Sequence, residues 1–478
     1  MEDQPMTAGG ADRGVATHDL VSSPAGTLGT EAPLRIGPPP AGPGAFDDHR
    51  PPSAALVADC VHCGFCLPTC PTYVLWGEEM DSPRGRIYLM NEGLGGEPMT
   101  DSMVGHIDAC LGCMACVTAC PSGVQYDRLI EATRAQVERR HERSTWDKAL
   151  REGIFALFPY PRRLRLMRGP LRLYQRTGLA GRLRKSALLQ RISPTLAAME
   201  SLAPTLGKAE KVPARTPAQG TRRGTVGMLL GCVQREFFPG VNAATARVLS
   251  AEGFDVIAPV GQACCGALSA HNGREEEAQK FARALIEEFE RAGIEHLVVN
   301  SAGCGSAMKD YVHLLSDDPQ WAARAEAMSA RVRDVSEILA DVGPVATRHP
   351  IDVTIAYHDA CHLGHAQGIR SQPRELLLGI PGLVLKEIAD ADICCGSAGI
   401  YNILNPVPAR ELGDRKAANV IATGAALLVT ANPGCLMQVA SSIERAGGHV
   451  ALAHTVEVLD ASIRGLPRSS LGVSAPPA

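Results

Sequence analysis

The chain has 478 residues, room for roughly three domains, and its hydrophobic content of 45% is ordinary for globular protein. A net charge of -4 and an aromatic content of 4% provide neither the basic surface nor the stacking rings that nucleic acid requires, so no nucleic-acid partner is expected. The opening MEDQPMTAGG has no apolar core of a signal peptide, and no later apolar run is long enough to span a bilayer. A cytoplasmic location is therefore expected, and in that reducing compartment sixteen cysteines read as metal ligands or redox thiols rather than disulfides.

Residues 1–50 are rich in Pro, Gly and Ala, have little apolar periodicity to bury, and read as a disordered arm. Residues 51–145 contain one cysteine string twice: Cys60-x2-Cys63-x2-Cys66-x3-Cys70-Pro71 and Cys110-x2-Cys113-x2-Cys116-x3-Cys120-Pro121. Each is the run of bacterial two-cluster ferredoxins, in which three thiolates hold one cubane and the fourth ligates the other. The spacing predicts two [4Fe-4S] clusters, one on Cys60, Cys63, Cys66 and Cys120, the other on Cys110, Cys113, Cys116 and Cys70. Each following proline fixes the backbone behind the fourth thiolate. Zinc sites favour two separated pairs and disulfide frameworks belong to short exported chains, so neither suits such a run. Between the halves lie Ser82-Pro83-Arg84-Gly85-Arg86 and a helical stretch from Ile87 to Met90, and Leu129 to His141 reads as a closing helix. A helical two-cluster domain is expected, with Arg84 and Arg86 either offsetting cluster charge or holding backbone carbonyls.

Residues 146–223 read as a basic helical connector, without an acidic residue between Gly153 and Met199. Leu164, Met167, Leu171 and Tyr174 recur at helical spacing beside Arg165, Arg168, Arg172 and Arg176, and Gly169-Pro170 predicts a break into two short helices. Such a stretch suits either peripheral contact with anionic lipid or packing against the ferredoxin domain. Pro204 to Arg223 reads as a loose linker.

Residues 224–345 and 346–468 are two copies of one unit, followed by a tail at 469–478. The first copy carries Cys232, then Cys264-Cys265-Gly266, then Cys304; the second carries Cys361, then Cys394-Cys395-Gly396, then Cys435, at intervals that match within one residue. Each single cysteine follows a strand-like apolar run and precedes a helical pattern, such as Glu275 to Ala292 after the first pair. Strand, cysteine turn and helix in repetition predict an α/β unit with a parallel sheet, whose ligands gather at the carboxyl ends of strands. The fold class is thus α+β/α/β multidomain, a helical two-cluster ferredoxin domain followed by two tandem α/β cysteine-rich repeats. The eight repeat cysteines suit a further iron-sulfur cluster, a zinc ion or plain burial as small hydrophobes. His358 and His362 flank Cys361 and are candidates for proton relay, as is His271; each alone also suits a structural role.

Four strings carry a resemblance: Ser82-Pro83-Arg84-Gly85-Arg86-Ile87-Tyr88, Cys361-His362-Leu363-Gly364-His365-Ala366-Gln367, Cys394-Cys395-Gly396-Ser397-Ala398-Gly399 and Asn432-Pro433-Gly434-Cys435-Leu436-Met437-Gln438. From about Asp59 onward the chain resembles iron-sulfur subunits of membrane-associated dehydrogenases, with wording most similar to the glycolate oxidase (glycolate dehydrogenase) family. That resemblance implies a flavin-containing dehydrogenase subunit, bearing FAD, that oxidises glycolate to glyoxylate, with this chain passing the electrons towards a quinone or membrane acceptor. Heterodisulfide reductases close each repeat with C-x2-C, whereas here Cys304 and Cys435 have no second cysteine after them. Oxidising a hydroxy acid is a two-electron event needing a flavin or nicotinamide, and no G-x-G-x-x-G follows a strand here. The chain is therefore expected to be catalytically incomplete alone. Equivalent subunits for lactate or glycerol 3-phosphate oxidation, and a thiol or disulfide reductase, are the competing readings.

Overall fold

The computed structural model describes residues 44–178, 183, 188–206 and 210–472. Most of the expected disordered arm, residues 1–43, and the tail from 473 lie outside the described residues. The arm's last residues are held in place rather than disordered. The Asp47 carboxylate accepts from Gln136 Nε2 and pairs with Arg139, and hydrogen bonds from that guanidinium lower its carboxyl to about 2. Arg50 pairs with Glu275 and Asp317, and Ala45 is buried with the Phe46 ring against Gly93, so charge and apolar burial together order this stretch.

Among the described residues ahead of Arg215 there are helices and no strand. Pro83–Leu94, Asp101–Ala109 and Tyr126–Arg140 enclose a core of Ile87, Met90, Ile107, Leu129 and Ile130. The Ser-Pro-Arg-Gly-Arg string starts the first of these helices. Ser82 caps it by accepting from the Gly85 amide at 3.0 Å, and Pro83 occupies the first turn, where no amide donor is needed. A Cβ on Gly85 would stand 2.0 Å from the Glu79 carbonyl oxygen, which restricts this position to glycine. The proline after the first cysteine run likewise opens a helix, Pro71–Trp76, with Cys70 as its N-cap.

The connector contains Thr145–Leu157, Pro161–Arg176, Leu188–Ile192 and Pro194–Ser201. The break expected at Gly169-Pro170 does not occur, and Pro161–Arg176 is one helix with Pro170 inside it. Both halves are anchored from outside: Leu164 is buried, Arg165 and Arg168 reach Glu236, and Gln175 donates to the Pro204 carbonyl. Those contacts offset the hydrogen bond lost at Pro170. The segment read as a loose linker contributes an edge strand.

The first sheet contains β1 (Arg215–Thr216), β2 (Gly224–Met228), β3 (Phe254–Ile257), β4 (His296–Val299) and β5 (Val332–Asp334), in the order β1-β3-β2-β4-β5. All neighbours are parallel except β1, which runs antiparallel to β3. The second sheet contains β6 (Val353–His358), β7 (Leu383–Glu387), β8 (Leu427–Thr430) and β9 (Ala451–His454), all parallel, in the order β7-β6-β8-β9. Setting β1 aside, the two orders are the same: the first strand of each copy lies between the second and third. Chain direction across the sheet reverses there, which opens a crevice at the strand ends. One core joins the copies, with Met228 and Val298 from the first and Ile355, Tyr357 and Val429 from the second.

Candidate metal centres

Cys232, the Cys264-Cys265 pair and Cys304 follow the carboxyl ends of β2, β3 and β4; Cys361, the Cys394-Cys395 pair and Cys435 follow β6, β7 and β8. Each quartet therefore sits at the crevice of its own sheet. The Sγ atoms of Cys264 and Cys232 are 3.5 Å apart. The glycine of each Cys-Cys-Gly has positive φ, +80° at Gly266 and +86° at Gly396. A Cβ there would meet the backbone of the second helix onward, Glu275–Arg291 or Pro406–Ala422, 3.0 Å from the Ala278 oxygen and 2.5 Å from the Ala409 oxygen. Glycine lets the cysteine turn lie directly on that helix.

Thiol electrostatics follow the same pattern in both copies. Hydrogen bonds from Cys264 and Cys304 pull Cys265 down, and those from Cys394 and Cys435 pull Cys395 down, while the donating thiols are pushed up. One thiolate in each quartet is what hydrogen bonding supports. Ionising the others at the same buried spot calls for a cation among them, so the donor set fits a metal group.

Both quartets line one cavity of about 230 Å³, together with Cys110, Cys113, His271 and His362. Ser301 and Asn432, each three residues before the last cysteine of its copy, bridge them: the Ser301 hydroxyl donates to Asn432 Oδ1 at 3.4 Å, and Asn432 Nδ2 reaches Cys435 at 3.5 Å. Sequence reading missed this pair, although aligning the two copies puts them at one position. The His362 ring stacks on His271 with centroids 4.9 Å apart, and His271 Nδ1 lies 2.9 Å from Glu131 of the closing ferredoxin helix. Burial, helped by His271, pushes His362 down to about 3, so it is a neutral imidazole. His358 lies in the second quartet instead, within 4.8 Å of Cys395 and Cys435. The structure thus separates the two histidine candidates.

The twin ferredoxin runs have different surroundings. Cys60 and Cys66 are half-buried and Cys63 is exposed, whereas Cys110, Cys113 and Cys116 are buried. Cys60 is raised by burial and then by the charge of Cys120 and Cys63; Cys116 is raised by burial and then by Cys113, Cys110 and Cys70. The fourth cysteine of each run therefore lies near the opposite run. Arg86 is 1% exposed and donates to the His106 carbonyl, Asp81 and Thr72, with Nη1 4.0 Å from Cys70 Sγ. Burial alone would raise Cys110, but Arg86 and Arg134 outweigh it and lower the thiol. Arg84 lies further out, paired with Glu79 and donating to the His62 carbonyl.

Helical cysteine runs joined to duplicated cysteine crevices define a class of iron-sulfur protein, and comparisons agree. Family profiles match a 4Fe-4S dicluster domain at residues 56–124, a "Glycolate oxidase iron-sulfur subunit, linker region" at 146–203, and a cysteine-rich domain at 226–309 and again at 355–440. The chain is 39% identical to the probable glycolate oxidase iron-sulfur subunit of Bacillus subtilis, over 84% of this chain and 93% of the relative. It is 35% identical to the glycolate oxidase iron-sulfur subunit of Escherichia coli, over 87% of this chain and 98% of that one. A lactate utilization protein A from Exiguobacterium is 33% identical over 50% of this chain and 98% of its own length. The chain belongs to the glycolate oxidase iron-sulfur subunit family. No helix among the described residues is long and apolar enough to cross a membrane.

Proposed function

We propose that this chain is the electron-transfer subunit of a glycolate-oxidising complex, taking electrons from a flavin-bearing partner that forms glyoxylate and passing them to a quinone-type acceptor. The observation that carries it is the contrast between the runs. Val61 and Phe65 of the first are 68% and 66% exposed, while Leu111 and Ala115, at the same motif positions in the second, are 6% and 1% exposed. Leu111 and Ala115 pack with Cys361, Cys394 and Tyr401 of the second repeat. The same motif face thus adjoins the next electron site in one run and is open and apolar in the other. The open face suits docking of the partner.

The ligand sets are those expected above: Cys60, Cys63, Cys66 and Cys120; Cys110, Cys113, Cys116 and Cys70; and the two repeat quartets, on the boundaries given above. Clusters held there pass electrons one at a time. Cys113 lies close enough to Cys361 for that thiol's charge to raise it, so the path runs from the first run through the second into the second repeat. The Ser301–Asn432 bridge links that repeat to the first. His271 and His362 face the shared cavity, each with an unpartnered Nε2, and suit hydrogen bonding to an acceptor bound there. A lactate-oxidising complex is the second reading, favoured by the similarity to lactate utilization protein A.

The test is the complex purified anaerobically with its flavoprotein, assayed for glycolate-driven quinone reduction with wild-type chain and Phe65→Glu. A charge at an interface centre costs binding about tenfold or more. Phe65→Glu should lose partner affinity and electron input with iron content unchanged; unaltered affinity and rate would defeat the docking assignment.

A further inference from the structure

The two cysteine-rich copies correspond cysteine for cysteine, yet one crevice position differs in kind. Three residues before the first cysteine, the first copy has Leu229 and the second His358. Leu229 is 2% exposed and packs with Cys264 and Cys265, an ordinary apolar neighbour. His358, at the end of β6, is 1% exposed, and its ring nitrogens find no nitrogen or oxygen partner among the described residues but bear on the Cys395 thiol, which His358 helps to lower. A buried polar group left unmade is costly, and native structures rarely keep one without a use.

The use is indicated by what surrounds the ring. A His358 nitrogen, Cys395 Sγ and Cys435 Sγ all lie within 4.8 Å of one another, each residue buried. An imidazole nitrogen beside converging thiols has the donor chemistry of a metal ligand. Other nearby polar groups do not compete for the role. Gln438, three residues after Cys435, donates to the Ala409 carbonyl at 2.7 Å and accepts from Asn402 at 3.1 Å, so its amide is committed to holding helices. His362 is stacked on His271.

We infer that His358 is a protein ligand to iron in the centre of the second repeat, alongside Cys361, Cys394, Cys395 and Cys435, and that the two repeats hold chemically different centres. Imidazole is neutral where thiolate is anionic, and exchanging one for the other raises the reduction potential of an iron-sulfur centre. This inference rests on the reading that the repeats carry iron-sulfur centres, and the two can fail separately.

The experiment uses the full-length chain, purified anaerobically from cells fed 15N-histidine, with iron and zinc counted and nitrogen hyperfine couplings recorded by pulsed electron paramagnetic resonance after stepwise reduction. The expected result is iron clearly above the roughly eight held by two cubanes, with one directly coordinated imidazole nitrogen. That coupling should vanish in His358→Cys, which keeps a ligand there, and the affected signal should shift to lower potential. About eight irons, or zinc in place of the excess, would overturn the iron-sulfur reading of the repeats and this ligand with it. Iron above eight without a coordinated nitrogen in the unaltered chain would overturn the ligand alone, as would a coupling that survives His358→Cys or His358→Leu.

Discussion

Arg86 is the buried charge on which the ferredoxin domain turns. Its guanidinium joins the Asp81 carboxylate, the Thr72 hydroxyl and the His106 carbonyl, and its Nη1 lies 4.0 Å from Cys70 Sγ, the last cysteine of the first run. Removing one member of a buried ion pair costs about 3–5 kcal/mol because the other is left unpaired. Arg86→Met should therefore lower stability by about that much, read as an anaerobic denaturant midpoint. It should also deplete iron at the centre of Cys110, Cys113 and Cys116, whose Cys110 loses one of its two counter-charges. Cys70→Ser should damage the same centre and spare the one on Cys60, Cys63 and Cys66; loss of the latter instead, seen by paramagnetic resonance, would refute the exchanged ligation. The string Ser82 to Arg86 marked this place in the sequence, but only burial separates the roles of its arginines: Arg84 holds a loop and Arg86 a core.

At the scale of elements, the Cys-Cys-Gly turns are legible as turns, while their tolerance is not. A Cβ at Gly396 would come 2.5 Å from a backbone oxygen, against 3.0 Å at Gly266. Both positions also bear the left-handed strain of about 1–2 kcal/mol for a non-glycine residue. Gly396→Ala should thus destabilise the chain more than Gly266→Ala, a difference measurable in paired unfolding curves. The helix after β9 supplies a pH prediction. His454 caps it, accepting from the Val456 amide and bonding the Asn300 carbonyl through Nε2, and burial holds its ring down to about 4. Its partner in the capping box, Glu457, is pushed up by burial to about 7. The histidine contributes stability that is complete above its unfolded value of 6.5 and is lost as pH falls towards 4. The glutamate has the opposite sign, since the folded state holds its proton from pH 7 down to its unfolded 4.5. The two offset each other over most of that window. His454→Asn should expose the glutamate, so that variant stability rises relative to wild type as pH falls from 6.5 to 4.5, with a slope approaching one proton; parallel curves would disprove it.

Across the whole molecule, the connector's basic helix packs on the first cysteine-rich repeat and leaves an apolar face open. Arg165 and Arg168 are bound to Glu236, as a packed connector requires, yet Leu166 and Leu173 are 77% and 65% exposed on the same helix. If that outer face meets lipid, Leu166→Ser with Leu173→Ser should reduce sedimentation with anionic vesicles several-fold without changing iron content; equal sedimentation would leave packing as the helix's whole role. By itself the sequence determined the cysteine runs, the duplicated strand-cysteine-helix unit, the parallel sheets and the family. Ligand spacing and hydrophobic period are local properties, fixed by how far a few residues of backbone reach. The tertiary structure alone decided that one of two like cysteine runs is covered and the other open, that residues 44–50 are tied down, that Pro170 stays inside a helix, and that His358 is buried beside the Cys395 and Cys435 thiols. Those outcomes depend on which distant surfaces exclude water from one another, and nothing in a residue's own neighbourhood along the chain encodes that.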